Sequence, residues 1–428
     1  MKLKVHDGNR FLMTTTGEPF FYLADTAWEL FHGLSREEAD EYLSLRAAQG
    51  FNTIQVAALA EFEGLSVPNR YGRCPLLQSD GVYDPTLPDC SGEYHYWAHA
   101  DYVIQKAAEY GLFVALLPTW GDKFNQKWGK GPEIFDPDNA FVYAKWLGER
   151  YRAQWNIIWV LGGDRPLESP LHHAVIDAMA AGVREGDHGE HLITFHPCGG
   201  RSSADDVGDR AYIDFHTTQS SHALAGYASW SLLRRTGRAV CKPFMDMETR
   251  YEDHPACFDA KIGYLWDAHD IRQNTYWNLM EGVCGHTYGN HAVWSFCQEP
   301  SAYFPYRWQE VLHHPGVREA VLVKQLRLSR PYFEFRHAPE LVEDDPYIMA
   351  HFSAGRGNRY AFIYTPLGQP IRAHLKNLTD DGRAVKVSWF DPRTGAETLF
   401  GVVPQDDVLL VPPTQGKGCD WVLICDVV

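Results

Sequence analysis

Two carboxylates stand where a polypeptide can do acid–base or nucleophilic chemistry. The run Ile157-Ile-Trp-Val-Leu161-Gly-Gly-Asp164 is apolar until two glycines and then an aspartate. Glycines let the backbone come close to a ligand and aim the following carboxylate inward. The run Pro243-Phe-Met-Asp246-Met-Glu248 ends in a glutamate. Side chains two apart on a strand share a face, so Asp246 lies one layer below Glu248 and reads as a buried structural carboxylate. The bland role for Glu248 is a rim salt bridge to Arg250 or Arg165. Two carboxylates facing across a cleft, with tryptophans beside them, are equipment for glycoside hydrolysis. One protonates the leaving oxygen while the other attacks the anomeric carbon or activates water.

The elements that must position these groups recur along the chain. Short apolar runs cover 20–24, 53–56, 113–117, 157–161, 192–195, 212–215, 243–247 and 286–288. Each is too short for a helix and apolar on both faces, as parallel strands covered by helices are. Between them, Ser35-Arg-Glu-Glu38 is a capping box whose helix runs to Gln49 and stops at Gly50. Further helical patterns cover 99–110, 138–153, 171–184, 223–235 and 267–283. Eight strands alternating with helices predict an α/β fold, a (β/α)8 TIM barrel, whose fifth crossover is too short for a full helix. A doubly wound open sheet is the rival, but no Gly-rich phosphate turn follows the first strand.

The catalytic domain is expected over 1–335. Beyond the helical stretch 316–329 and Arg330-Pro331, the texture becomes short strand-like runs at 347–353, 359–364, 371–375, 385–390 and 421–426. Turn residues such as Asp391-Pro-Arg-Thr-Gly395 separate them, predicting a small all-β sandwich over 336–428 that serves as a stabilising appendage.

Barrels place reactive groups at the C-terminal ends of their strands. Those ends give Asp25 and Trp28, Gln55, Trp120 and Asp122, Asp164 with Arg165, His196, His216 with Gln219, Glu248 and Tyr288. Asp164 and Glu248 form the expected catalytic pair, and the others the substrate-binding shell. Trp28 or Trp120 is expected to stack on a sugar face. Tyr288 or a neighbouring histidine should keep Glu248 ionised, while burial and the charge on Glu248 raise the pKa of Asp164.

Composition narrows the rest. With 45% hydrophobic and 22% charged residues, the 428-residue chain can bury a large core. A net charge of −16 argues against nucleic acid or an anionic membrane as partner. Fourteen Trp, 22 Tyr and 22 Phe suit the apolar faces of sugars. Nine cysteines without a C-x-x-C pair read as reduced thiols. No apolar run approaches the ~20 residues that span a bilayer, and no leader pattern opens the chain, so a cytoplasmic location is expected. No cofactor or metal is implied. His95 and His99 have helical spacing, and His172-His173 and His313-His314 are adjacent pairs, but none belongs to a His-Glu-x-x-His motif. His196 and His216 are better metal candidates, although in a sugar site they would donate to hydroxyls. A lectin would explain the aromatics and the β-domain but leaves Asp164 and Glu248 without a purpose. Serine hydrolase, NTPase and dehydrogenase motifs are missing. Oligomeric state is not legible.

Three stretches carry a resemblance: FFYLADTAWELFHGLSREEADEYLSLRAAQGFNTIQV, WVLGGDRP and KPFMDMETRYE. They resemble the apiosidase-like glycoside hydrolases, glycoside hydrolase family 140, and the likeness spans nearly the whole chain. A barrel followed by a small β-domain of the collagen-binding type is what that family implies. The resemblance also implies Asp164 as acid/base, Glu248 as nucleophile, a retaining outcome, and release of terminal β-D-apiofuranose from a plant glycoside or pectic side chain. An aspartate acid/base is shorter than the Asn-Glu pair of most related barrels, and this chain keeps that departure. A small imported glycoside is the expected partner, with another furanoside or pyranoside as the alternative substrate.

Overall fold

The computed structural model describes residues 2–345 and 347–428. Eight parallel strands form the barrel: β1 (Tyr22–Thr26), β2 (Thr53–Ala57), β3 (Phe113–Leu117), β4 (Ile157–Gly162), β5 (Ile193–His196), β6 (His216–Gln219), β7 (Phe244–Glu248) and β8 (Gly285–Tyr288). Every residue in them is buried, as strands packed on both faces require. Ladders join β5 through β4, β3, β2, β1, β8 and β7 to β6. The β5–β6 seam closes differently. Asp214 N donates to Ile193 O at 2.8 Å, and the Asp214 carboxylate accepts from Ile193 N at 2.7 Å.

Seven connections carry the covering helices: α1 (Arg36–Gln49), α2 (Tyr96–Glu109), α3 (Pro137–Tyr151), α4 (Pro170–Asp187), α5 (Ser203–Asp206), α6 (Ser229–Ala239) and α7 (Ala268–Met280). After β8 come α8 (Pro315–Ala320) and α9 (Leu322–Leu328). The Ser35–Glu38 capping box and the left-handed Gly50 bound α1. The fifth crossover holds only the four-residue α5. His95 caps α2, so that helix starts three residues before the expected His99 and holds only one histidine of the His95/His99 pair.

One strand is displaced from its expected place. The apolar run 212–215 precedes β6, which is the polar sequence His-Thr-Thr-Gln. Strand hydrophobicity misled here because Thr217 and Thr218 fill the interior in place of aliphatic side chains.

The C-terminal region is all-β. Its six-stranded antiparallel sheet contains, in spatial order, Arg336–His337, Ser353–Arg356, Tyr360–Thr365, Trp421–Val427, Val385–Phe390 and Glu397–Val403. Ile371–His374 pairs with Asp407–Leu410 in a second layer. The stretch expected as a strand at 347–353 contains instead a helical turn, Ile348–Ala350, and Pro346 lies outside the described residues. This domain packs on α7, where Tyr276 stacks on Tyr364 at 5.4 Å and Trp277 Nε1 donates to His351 O at 2.9 Å. Barrel and sandwich share one apolar core there. Among the described residues no helix is long and apolar enough to cross a membrane.

Candidate active site

A cavity of about 700 Å³ opens at the C-terminal ends of the barrel strands. Both Asp164 and Glu248 line it, and so do Trp28, Trp120 and Gln219. Asp164 follows Gly162 (φ 88°) and Gly163 (φ 115°) and itself has φ 57°. A Cβ on Gly162 would sit 2.4 Å from His196 O, and one on Gly163 2.7 Å from Gly121 N. Backbone thus occupies the space of both side chains, and the left-handed turn aims Asp164 into the mouth.

The Asp164 carboxylate accepts at Oδ2 from Arg165 Nη1 at 2.8 Å and from Trp128 Nε1 at 3.1 Å. Burial and then the charge on Glu248 raise its pKa, against the opposing pull of Arg165 and His196. Arg165 is fully buried and also pairs with Glu61 Oε1 at 3.0 Å. Glu61 lines the cavity too, and burial pushes it up to about 7.

Glu248 sits between two imidazoles. His222 Nε2 is 3.0 Å from Oε1, and His196 Nε2 is 3.1 Å from Oε2. The main chain fixes the tautomers. Tyr251 N donates to His222 Nδ1 and Asp164 N donates to His196 Nδ1, each at 3.3 Å. With Nδ1 accepting, each ring carries its proton on Nε2, facing the carboxylate. Burial alone would raise the pKa of Glu248, but the two histidines outweigh it and hold the group at about 2. Asp246, one layer down, accepts from Ser220 N at 3.2 Å and Asn278 Nδ2 at 3.1 Å, and burial pushes it up to about 7.

His196 lies beneath the cavity and contacts Trp28 and Trp120, with ring centroids at 5.3 and 5.9 Å. The two tryptophans meet at 5.0 Å, and Trp28 Nε1 donates to Tyr251 OH at 3.2 Å. They wall the cavity next to Glu248.

Besides His196, six expected rim residues do not line the cavity. Asp25 faces away from the barrel axis, paired with Arg46 and accepting from Tyr42 OH at 2.7 Å, both on α1. Alternation along β1 sends its neighbour Thr26 inward instead. Tyr288 likewise points away, donating to Glu252 Oε2 at 2.6 Å, so the hydrogen bond to Glu248 comes from His222 instead. Gln55 points inward but a layer too low, where its amide donates to Met247 O at 3.1 Å and Thr26 Oγ1 at 3.2 Å. His216 opens β6 instead of closing it, and meets Ser203 Oγ at 2.9 Å. Asp122 accepts from Lys130 N at 3.1 Å and Gly131 N at 2.8 Å, so it holds the loop that carries Trp128. Arg165 reaches Asp164 from beneath.

The sequence reading missed His222, Tyr251, Glu61 and Trp128. His222 stands three residues past Gln219, much as Asp164 stands past Leu161, and the displaced β6 hid that parallel. Tyr251 lies within the KPFMDMETRYE stretch. Elsewhere, His314 Nδ1 pairs with Asp253 Oδ2 at 2.7 Å. Among the described residues no group of three metal-binding side chains is gathered.

Known proteins match this arrangement. The model described as "Apiosidase-like, catalytic domain" matches residues 6–334, and that described as "Putative collagen-binding domain of a collagenase" matches 340–426. The crystal structure of a glycoside hydrolase family 5 protein from Bacteroides vulgatus ATCC 8482 is 29% identical, with a TM-score of 0.90 over 100% of this chain and 94% of that one. A second solved structure, titled "Glycoside hydrolase", is 28% identical, with a TM-score of 0.89 over 100% and 97%. Another structure from B. vulgatus, titled as that of "a putative glycoside hydrolase" and 14% identical with a TM-score of 0.71 over 100% and 82%, shares the fold. No curated protein matches the chain. The chain belongs to the apiosidase-like family, and it is a glycosidase.

Proposed function

We propose that this enzyme is a retaining exo-glycosidase that releases a terminal sugar, β-D-apiofuranose, from a small plant-derived glycoside. Asp164 is the acid/base and Glu248 the nucleophile. The observation that carries this reading is the opposite tuning of two cavity carboxylates, one raised and one held at about 2. Glu248 is ionised at neutral pH and free to attack the anomeric carbon. Asp164 carries the proton that the leaving oxygen takes. Once the glycosyl-enzyme forms, the charge on Glu248 is gone, Asp164 becomes more acidic, and it accepts a proton from the attacking water. Trp28 and Trp120 border the sugar, while Gln219 supplies polar contacts.

In this reading residues 1–335 are the catalytic domain and 336–428 a stabilising sandwich. All nine cysteines are free thiols, which suits the cytoplasm. A panel of aryl furanosides and pyranosides including the β-apioside, with the first-formed anomer followed by NMR, tests the proposal. Cleavage of the β-apioside with retention is expected. Inversion, or preference for another sugar, overturns the corresponding part.

A further inference from the structure

The cavity has two unlike faces. Loops after β7, β8, β1, β2 and β3 form an unbroken arc around the mouth, and apart from Glu61, Glu248 and His254 they line it with aromatic rings. Loops after β4, β5 and β6 bring Asp164, Cys198, Gly199, Gln219, Ser221 and His222. A ligand that fills both faces is polar on one side and apolar on the other.

Chemistry assigns the two ends of such a ligand. Glu248 must reach the anomeric carbon and Asp164 the leaving oxygen, so the leaving group lies beside Asp164, away from Glu248. Trp128 stands there. Its Nε1 donates to Asp164, and the Arg165 guanidinium lies 4.6 Å from its ring centroid, yet the residue is 62% exposed. Phe62, 41% exposed, leans on Trp294 at 5.1 Å. Asp122 pins the Trp128 loop through two backbone N–H groups, so the platform is formed before a ligand arrives. Glu61 is the polar side chain nearby, and Arg165 already takes its Oε1. Hydroxyls of a second sugar would find few partners, whereas a flat ring needs none.

We propose that Trp128 and Phe62 form a leaving-group subsite for a flat apolar aglycone, an aryl alcohol and not a second sugar. The proposal rests on the assignment of Asp164 as the acid. The test compares the wild type with Phe62→Ala on 2-naphthyl and methyl β-D-apiofuranosides, and follows binding of free 2-naphthol by tryptophan fluorescence. Phe62→Ala is expected to lower kcat/KM for the naphthyl glycoside about five- to tenfold, to leave the methyl glycoside unchanged, and to weaken 2-naphthol by the same factor. Trp128→Phe keeps a ring but loses the bond to Asp164, so it should retain 2-naphthol and lose turnover. Equal losses on both glycosides, or competition by free glucose but not by 2-naphthol, overturn the subsite. If neither glycoside is cleaved, the catalytic reading fails, and the effect of Phe62→Ala on 2-naphthol binding still decides the subsite.

Discussion

At the junction behind α7, Arg272 meets Asp420 through Nη2 at 2.7 Å and Glu319 through Nη1 at 2.5 Å, all three groups largely buried. The barrel mouth also buries charge among aromatic rings, but its supply is lopsided. Asp164 and Glu61 share a single guanidinium, that of Arg165, while Glu248 lies between two imidazoles. Both regions contain the same kinds of side chain. Where one carboxylate gathers two donors, as Asp420 does from Arg272 and His269 and Glu248 does from its two histidines, burial is outweighed and the acid is held at about 2. Where an acid's ion pair is only a share of one guanidinium, burial wins and the pKa is raised, as at Asp164 and Glu61 beside Arg165 and at Glu319 beside Arg272. Two donors fix a carboxylate as an anion; withholding the second leaves a proton to move.

The largest expected effect comes from removing the proposed nucleophile. Glu248→Ala should lower turnover of every substrate by on the order of 10⁴-fold or more, with circular dichroism unchanged. Residual activity near wild type would mean that Glu248 is only structural. Asp164→Ala should cost about 10²- to 10⁴-fold on a poor leaving group and much less on nitrophenolate. Azide, which needs no general base, should then restore turnover and give a β-glycosyl azide. The same response in both mutants would refute the assigned roles.

At the junction the effect should appear in stability instead. Asp420→Asn leaves Arg272 half-paired and is expected to cost about 3–5 kcal/mol in urea unfolding, with kcat of the folded enzyme intact. Asp420 has a depressed pKa, so its contribution is present above its unfolded value of about 3.9 and is lost as pH falls through about 2. The mutant and wild-type curves should therefore converge in acid.

His222→Ala removes a donor from Glu248 and should move the acid limb of the kcat/KM profile to higher pH, leaving the alkaline limb, set by Asp164, nearly in place. The smallest effect has the opposite sign to that of Asp420→Asn. Asp164 has a raised pKa, so its ionisation costs stability above its unfolded value, and Asp164→Asn should gain about 1 kcal/mol at neutral pH. A loss of stability there would erase the contrast between mouth and junction.

The sequence made the barrel legible because most of its strands are short, largely apolar runs set between helical stretches. It made Asp164 and Glu248 legible because two glycines and a two-residue period constrain where each can point. It hid β6, whose Thr217 hydroxyl donates to Phe195 O inside the barrel, Thr194 Oγ1 on β5 doing the same with Phe215 O at 2.6 Å. Asp25 and Tyr288 misled for another reason. A strand end names a position on the rim, but alternation decides whether its side chain looks into the mouth or out toward the helices. His222 and Trp128 were illegible because they sit on loops, whose course depends on tertiary anchors such as Asp122.

The helix α7 has no outer face: every position from His269 to Met280 is buried between the barrel and the sandwich. Its polar residues are spent inward on both sides, Asn278 on Asp246 beneath the site and Arg272 on Asp420 in the sandwich. The barrel is therefore not a portable module. Grafting it elsewhere, or trimming the chain to its catalytic part, would mean resurfacing a whole helix, so drift, recombination and engineering alike must treat the two domains as a single heritable unit.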